Sequence, residues 1–247
     1  ENAKRVLVTF LGGAPRGRKA APPAPPPAAA PTTADPPLQV RYEDAHLIAL
    51  DKPAGLLTVP GRGTDKSDCL SRRAQARWPD ALVVHRLDQA TSGLLLLARG
   101  PAMQRALSQA FAQRQVHKRY EALVHGRLTL PADATDGWAR IDLPLIVDWP
   151  QRPRSKVDHV AGKPSQTRWR PLAHDAQTRR TRLALEPLTG RSHQLRVHLL
   201  AIGHPIVGDT LYGPPDGAPR LMLHACALRL THPVTGQPLA LDSAAPF

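Results

Sequence analysis

The chain has 247 residues, a length for one large domain or two small ones, and 42% of it is hydrophobic, enough for a sizeable core. Its formal net charge of +13 calls for a polyanionic partner, of which nucleic acid is the commonest. No apolar run approaches the roughly 18 residues a membrane-spanning helix needs, no signal-peptide pattern is present, and the lone thiols Cys69 and Cys226 form no CxxC pair and suit a reducing cytoplasm.

Residues 1–37 hold nine of the 27 prolines, including Pro22-Pro23-Ala24-Pro25-Pro26-Pro27. Proline removes donors, and alanine with proline offers little to bury, so this stretch is predicted to be a disordered or polyproline-like tail. It carries five basic against two acidic side chains, which leaves +10 on residues 38–247, the predicted folded domain. There, Val40 and Tyr42 alternate with polar residues and 47–50 is apolar, a hairpin pattern with its turn at Glu43-Asp44. Lys52-Pro53-Ala54-Gly55 follows as a turn from which Lys52 would project. Residues 68–78 read as a helix with Leu70, Ala74 and Trp78 on one face, stopped by Pro79. Its arginines Arg72, Arg73 and Arg77 fit a solvated face and an RNA-binding surface equally.

Residues 81–84 and 94–98 read as short buried strands around the polar cluster His85-Arg86-Leu87-Asp88. Charges so close to a core must be paired or put to use. Asp88 is thus either half of a structural ion pair at a turn or a rigidly held catalytic carboxylate. Pro101 opens a helix with Met103, Leu107, Ala110 and Phe111 on its core face, and 116–124 is a strand carrying Lys118-Arg119-Tyr120. Residues 128–170 look irregular. Within them Trp149-Pro150-Gln151-Arg152-Pro153-Arg154-Ser155-Lys156 predicts a stiffened, exposed loop able to track phosphates. A strand at 181–186 leads to Thr189-Gly190-Arg191-Ser192-His193-Gln194-Leu195-Arg196. Ser192 is the expected helix cap, Gly203 the stop, and Arg191 would reach across a cleft from the preceding turn. His193 and His198 would lie about 140° apart around that helix, so no metal site is expected. Residues 221–230 form a closing strand.

The segment HRLDQATSGLLLLA at 85–98 resembles the central motif of the RluA family of pseudouridine synthases. KPAG at 52–55, KRYEALV at 118–124 and TGRSHQLR at 189–196 are similar to further motifs of that family, in the family's order across about residues 38–247. The resemblance implies an α+β pseudouridine synthase fold: a mixed, mainly antiparallel sheet with flanking helices and a central RNA-binding cleft. It makes Asp88 the catalytic carboxylate, Tyr120 the partner of the uracil ring, and Arg191 the guanidinium that pairs with Asp88. Arg86 would fill the space left by a flipped base, and Lys52, His85 and Arg196 would join Arg152, Arg154 and Lys156 in holding RNA. The loop at 148–156 resembles the branch whose members modify both a tRNA anticodon stem-loop and a hairpin of 23S ribosomal RNA.

The implied reaction breaks the uridine N1–C1′ bond, turns the base and joins C5 to C1′. It involves no redox change and no water, so neither cofactor nor metal is expected. The implied setting is a cytoplasmic monomer. Two alternatives are a non-catalytic RNA-binding protein with this fold and an RNA N-glycosidic hydrolase. The hydrolase needs a second group to activate water, and no second acid accompanies Asp88 in its motif.

Overall fold

The computed structural model describes residues 37–61, 66–134 and 136–247. The proline-rich tail expected at 1–37 lies, except for Pro37, outside the described residues. The predicted hairpin is present as β1 (Gln39–Glu43) and β2 (Leu47–Lys52). Asp44 closes its turn by accepting the backbone N–H groups of His46 and Leu47 at 2.7 and 2.8 Å, the local chemistry that favours Asp in turns.

The first helix, α1 (Leu70–Arg77), starts later than expected because the Asp68 carboxylate is held by the Arg73 guanidinium at 2.6 and 2.8 Å and does not cap it. After β3 (Ala81–Val83) comes β4 (Ser92–Arg99), whose run of leucines is explained by burial on both faces. Leu94 and Leu96 pack with Met103 and Leu107 of α2 (Pro101–Ala112), and Leu95 and Leu97 pack with Leu70 and Ala74 of α1. Each of these four leucines is at most 1% exposed, so each contributes about 1.5–3 kcal/mol of burial.

The chain continues through β5 (His117–His125), β6 (Ala139–Asp142), β7 (Leu145–Val147), β8 (Ser155–Val157), β9 (Gln166–Asp175), β10 (Arg180–Pro187), α3 (Gln194–Ala201), β11 (Leu223–Thr231) and β12 (Pro238–Asp242). The stretch expected to be irregular at 128–170 therefore contains β6, the β7–β8 hairpin and the start of β9. Strands of three or four residues are too short to show alternation among so many arginines and prolines. The main sheet runs β1-β2-β4-β11-β5-β10-β9-β6, with β3 also on β4 and β12 on β11. Among the described strands every pairing is antiparallel except β4 with β11. This is the expected α+β class. At that parallel pairing Gly93, at φ +110°, lies so close to β11 that a Cβ would fall 2.4 Å from the Ala225 carbonyl oxygen.

Candidate active site

Asp88 sits in the β3–β4 loop, at a cleft of about 1150 Å³ between that loop, β5, β11 and the β10–α3 turn. Small-molecule pockets span ~300–1,000 Å³, so this one suits a segment of a larger substrate. Both neighbours of Asp88 are anchored. The Thr58 hydroxyl donates to the Leu87 carbonyl at 2.8 Å and accepts the Leu87 N–H at 3.2 Å. On the other side the Gln89 carbonyl accepts the Gly55 N–H at 2.8 Å and the Lys52 ammonium at 3.1 Å. The Thr91 N–H closes the turn on the Asp88 carbonyl at 3.1 Å. The carboxylate is thereby fixed at its backbone while its side chain stays one-third exposed to the cleft.

The groups facing that carboxylate come from α3 and the residue before it. Arg196 Nη1 and His193 Nε2 each lie 3.9 Å from Asp88 Oδ2. Arg196 is 4% exposed and held by a fork on Asp209, Nε to Oδ2 at 2.8 Å and Nη2 to Oδ1 at 2.6 Å. Tyr212 lies beneath the guanidinium, 5.0 Å from it, and Arg154 lies over the same ring at 5.2 Å. The Tyr212 hydroxyl accepts the Ser155 N–H of the β7–β8 hairpin at 2.7 Å and lies 2.7 Å from His193 Nδ1. Burial lowers the His193 pKa against the pull of Asp88, so the ring is neutral near pH 7. The phenol hydrogen then serves Nδ1, and we assign the ring hydrogen to Nε2, facing Asp88. Sequence reasoning weighed His193 only as a metal ligand, and missed Thr58, Tyr212 and Asp209 because nothing local marks them.

The cleft brings together Asp88, Tyr120, Arg86, His85, Arg191 and Arg196. Tyr120 faces it from β5, and burial, aided by the Asp88 charge, pushes its hydroxyl pKa up, so it stays protonated at neutral pH. Arg86 is exposed at its rim.

Several expected roles need correction. Arg191 does not pair with Asp88: its guanidinium rests 3.5 Å from the Pro164 carbonyl, and Arg196 takes the place beside the carboxylate. The cause is a shifted helix start. The Gln194 side chain accepts the Arg191 N–H at 3.0 Å and the Thr189 hydroxyl at 2.7 Å, which folds 189–193 into a turn. His193, at φ +55°, becomes the residue before α3, and Ser192 is no cap. Arg196 is consequently a buried partner of Asp209 and not an RNA contact.

Lys52 does not project either. It is fully buried, its ammonium donating to the Pro53, Leu56 and Gln89 carbonyls at 2.9, 2.7 and 3.1 Å, and burial pulls its pKa down to about 7. His85 accepts the Leu96 N–H at 2.9 Å and stacks on Phe111 at 4.4 Å, with burial lowering its pKa to about 3. Both residues fix the loop around Asp88, and the fully buried Lys52 is out of reach of RNA. The hairpin cations remain outward: Arg152 lies 4.2 Å over Trp149, which is 67% exposed, and Lys156 pairs loosely with Asp148 at 3.6 Å.

A family model described as RNA pseudouridylate synthase matches residues 46–201. The "Dual-specificity RNA pseudouridine synthase RluA" of Escherichia coli (strain K12) is 44% identical over 216 residues, covering 86% of this chain and 95% of that protein. The protein of the same name from Vibrio cholerae is 47% identical over 202 residues, covering 81% and 79%. Among solved structures, Human RNA Pseudouridylate Synthase Domain Containing 1 aligns with a TM-score of 0.69 at 29% identity, over 85% of this chain and 84% of its own.

Proposed function

Because the chain belongs to the RluA family and is an RNA pseudouridine synthase, we propose that it isomerises uridines in stem-loops of both ribosomal and transfer RNA, with Asp88 as the catalytic carboxylate. One observation carries the residue assignment: Asp88 is pinned on both sides at the floor of a cationic cleft, its carboxylate open to substrate and faced by Arg196 and His193. The family resemblance supports the dual substrate, and the "dual-specificity" in the names of the relatives agrees with it.

In this mechanism the target uridine leaves its stack, at a cost of a few kcal/mol, and Arg86 occupies the vacancy, since guanidinium planes stack on bases. The uracil enters against Tyr120. Asp88 then acts at the sugar or ring, by covalent attack or by removing a sugar proton to give a glycal-like intermediate. The N1–C1′ bond breaks, the base turns, and C5 bonds to C1′. The proton displaced from C5 goes to a base in the site, and the recovered N1 position takes one up, so the product is an isomer. Arg196, 3.9 Å from the carboxylate, offsets its charge, and the His193 N–H faces it at the same distance. The exposed Trp149–Arg152 pair gives the β7–β8 hairpin the means to stack on and track RNA beyond the target base. The enzyme works as a monomer in the cytoplasm. No helix among the described residues is long and apolar enough to cross a membrane.

The test is incubation of the protein, and of Asp88→Asn, with total RNA from a strain lacking the enzyme, followed by carbodiimide primer-extension mapping. New pseudouridines in both RNA classes, made only by the unaltered protein, are the expected result. Marks in one class alone would overturn the dual substrate, equal marks from Asp88→Asn would overturn the catalytic assignment, and release of free uracil would indicate a hydrolase.

A further inference from the structure

The cleft contains a cation that the mechanism above does not use. Lys118 projects from β5 on the same side as Tyr120, two residues along the strand and so about 7 Å away. Its ammonium lies at the β10–α3 turn, where a Cβ built on Gly190 would be 3.7 Å from Nζ. It is also close enough to His85 to depress that imidazole electrostatically, which places it between the two loops that frame the site.

The other cations of the cleft fall into two groups. Arg119, Arg196 and Arg229 have carboxylate partners in Glu186, Asp209 and Asp242. Arg86, Arg114 and Arg191 have no carboxylate partner but are exposed to water. Lys118 is half-buried, and among the described residues it makes neither a hydrogen bond nor an ion pair. Burial lowers its pKa, and no neighbouring carboxylate opposes that shift. A desolvated ammonium with three unused donors is unfavourable in the free protein and is relieved when an anion arrives.

We propose that Lys118 is a phosphate-binding residue that holds the RNA backbone beside the extruded uridine, setting the nucleotide's register against Tyr120. Every nucleotide carries a phosphate, so an anion always accompanies a uridine held against Tyr120. A neutral uracil carbonyl would compensate a buried charge less well.

This assignment rests on the cleft binding RNA as the site of isomerisation, and its test avoids turnover. Full-length Asp88→Asn protein, with and without Lys118→Met, is titrated with a fluorescent anticodon stem-loop across a range of salt concentrations. The methionine variant should bind about tenfold more weakly near physiological salt, with the slope of log K against log salt reduced by about one. Lys118→Arg should retain the slope. In a scan placing one neutral methylphosphonate at each loop phosphate in turn, one position should weaken the lysine protein and leave the methionine variant unaffected. An unchanged salt slope, or methylphosphonates that weaken both proteins equally at every position, would overturn the proposal. Circular dichroism checks folding, and Lys118→Gln replaces a methionine variant that fails it. Because binding is read directly, failure to form pseudouridine would count against the isomerase reading and leave this result intact.

Discussion

Replacing Arg196 by methionine removes the guanidinium from Asp88 and strands a buried carboxylate at the same time. The Asp209 side chain is fully buried and Arg196 is 4% exposed, so water cannot take over the lost bonds. Asp209 would keep only the N–H groups of Leu211 and Tyr212, at 3.0 and 3.1 Å. Breaking one side of such a pair costs about 3–5 kcal/mol. At roughly 2–4 °C per kcal/mol for a domain of this size, the midpoint should fall by about 6–20 °C. Arg196→Lys keeps the charge and loses the fork, so it should fall between the two. Arg196→Met with Asp209→Asn removes the orphaned charge while keeping an acceptor for both N–H groups, and should recover most of the midpoint. Turnover should not recover: Asp88 still lacks its guanidinium, and losing one such charge-stabilising donor costs about 100-fold in rate. Thermal unfolding at pH 7 and pseudouridine formation below the lowest midpoint separate the two effects. A single Arg196→Met variant that unfolds within about 2 °C of the parent, or a double variant that regains activity with stability, would refute this reasoning.

Three further outcomes follow from the same geometry. The unfolded chain protonates His85 below about pH 6.5, whereas the folded ring resists until about 3. The unfolded state therefore binds more protons in that window, and stability contributed by the neutral ring is lost as pH falls. Relative to His85→Gln, the parent should lose about 1.4 kcal/mol per pH unit between roughly pH 6 and 4, read by urea unfolding, and parallel curves would refute it. Arg86→Ala should reduce turnover on a structured stem-loop more than on RNA whose uridine is already extruded, and equal losses would remove its base-replacing role. Trp149→Ala leaves an exposed surface and should change stability by less than about 0.5 kcal/mol. It should nevertheless weaken stem-loop binding about tenfold through lost stacking, measurable by fluorescence titration.

The sequence exposed the sheet centre and the motif loop because both are governed by short-range rules. Residues 94–98 form a short apolar run bounded by turn residues, the pattern of a buried strand, and they pack on both faces. What it did not expose depends on contacts between residues far apart in the chain. Lys52 looks like a projecting cation until the carbonyls of Pro53, Leu56 and Gln89 are seen around it, the last of them 37 residues away. The β7–β8 hairpin has too few residues per strand for periodicity to register, yet its Ser155 N–H fixes the hydroxyl that orients His193.

The corrected roles of Lys52, His85 and Arg196 share one physical cause. Positive charge within a motif was read as affinity for RNA. A carboxylate held rigidly beside a core, however, needs buried donors around its loop, and lysine, histidine and arginine are the side chains with donors and reach enough to supply them. Three motif cations around Asp88 are therefore used inside the protein: Lys52 and His85 on backbone groups, Arg196 on Asp209. Electrostatic attraction for RNA must then come from cations without such internal ties. In this cleft these are Arg86 and Arg114 at the rim and Lys118 within it, while Arg191 keeps a long contact with the Pro164 carbonyl. The division gives salt dependence a specific meaning. Substituting a tied cation should change stability or rate with little change in the salt slope of RNA binding. Substituting an untied one should lower that slope by about one while the fold stays intact. Arg196→Met and Lys118→Met are the opposed cases, and a matching change of slope in both would dissolve the distinction.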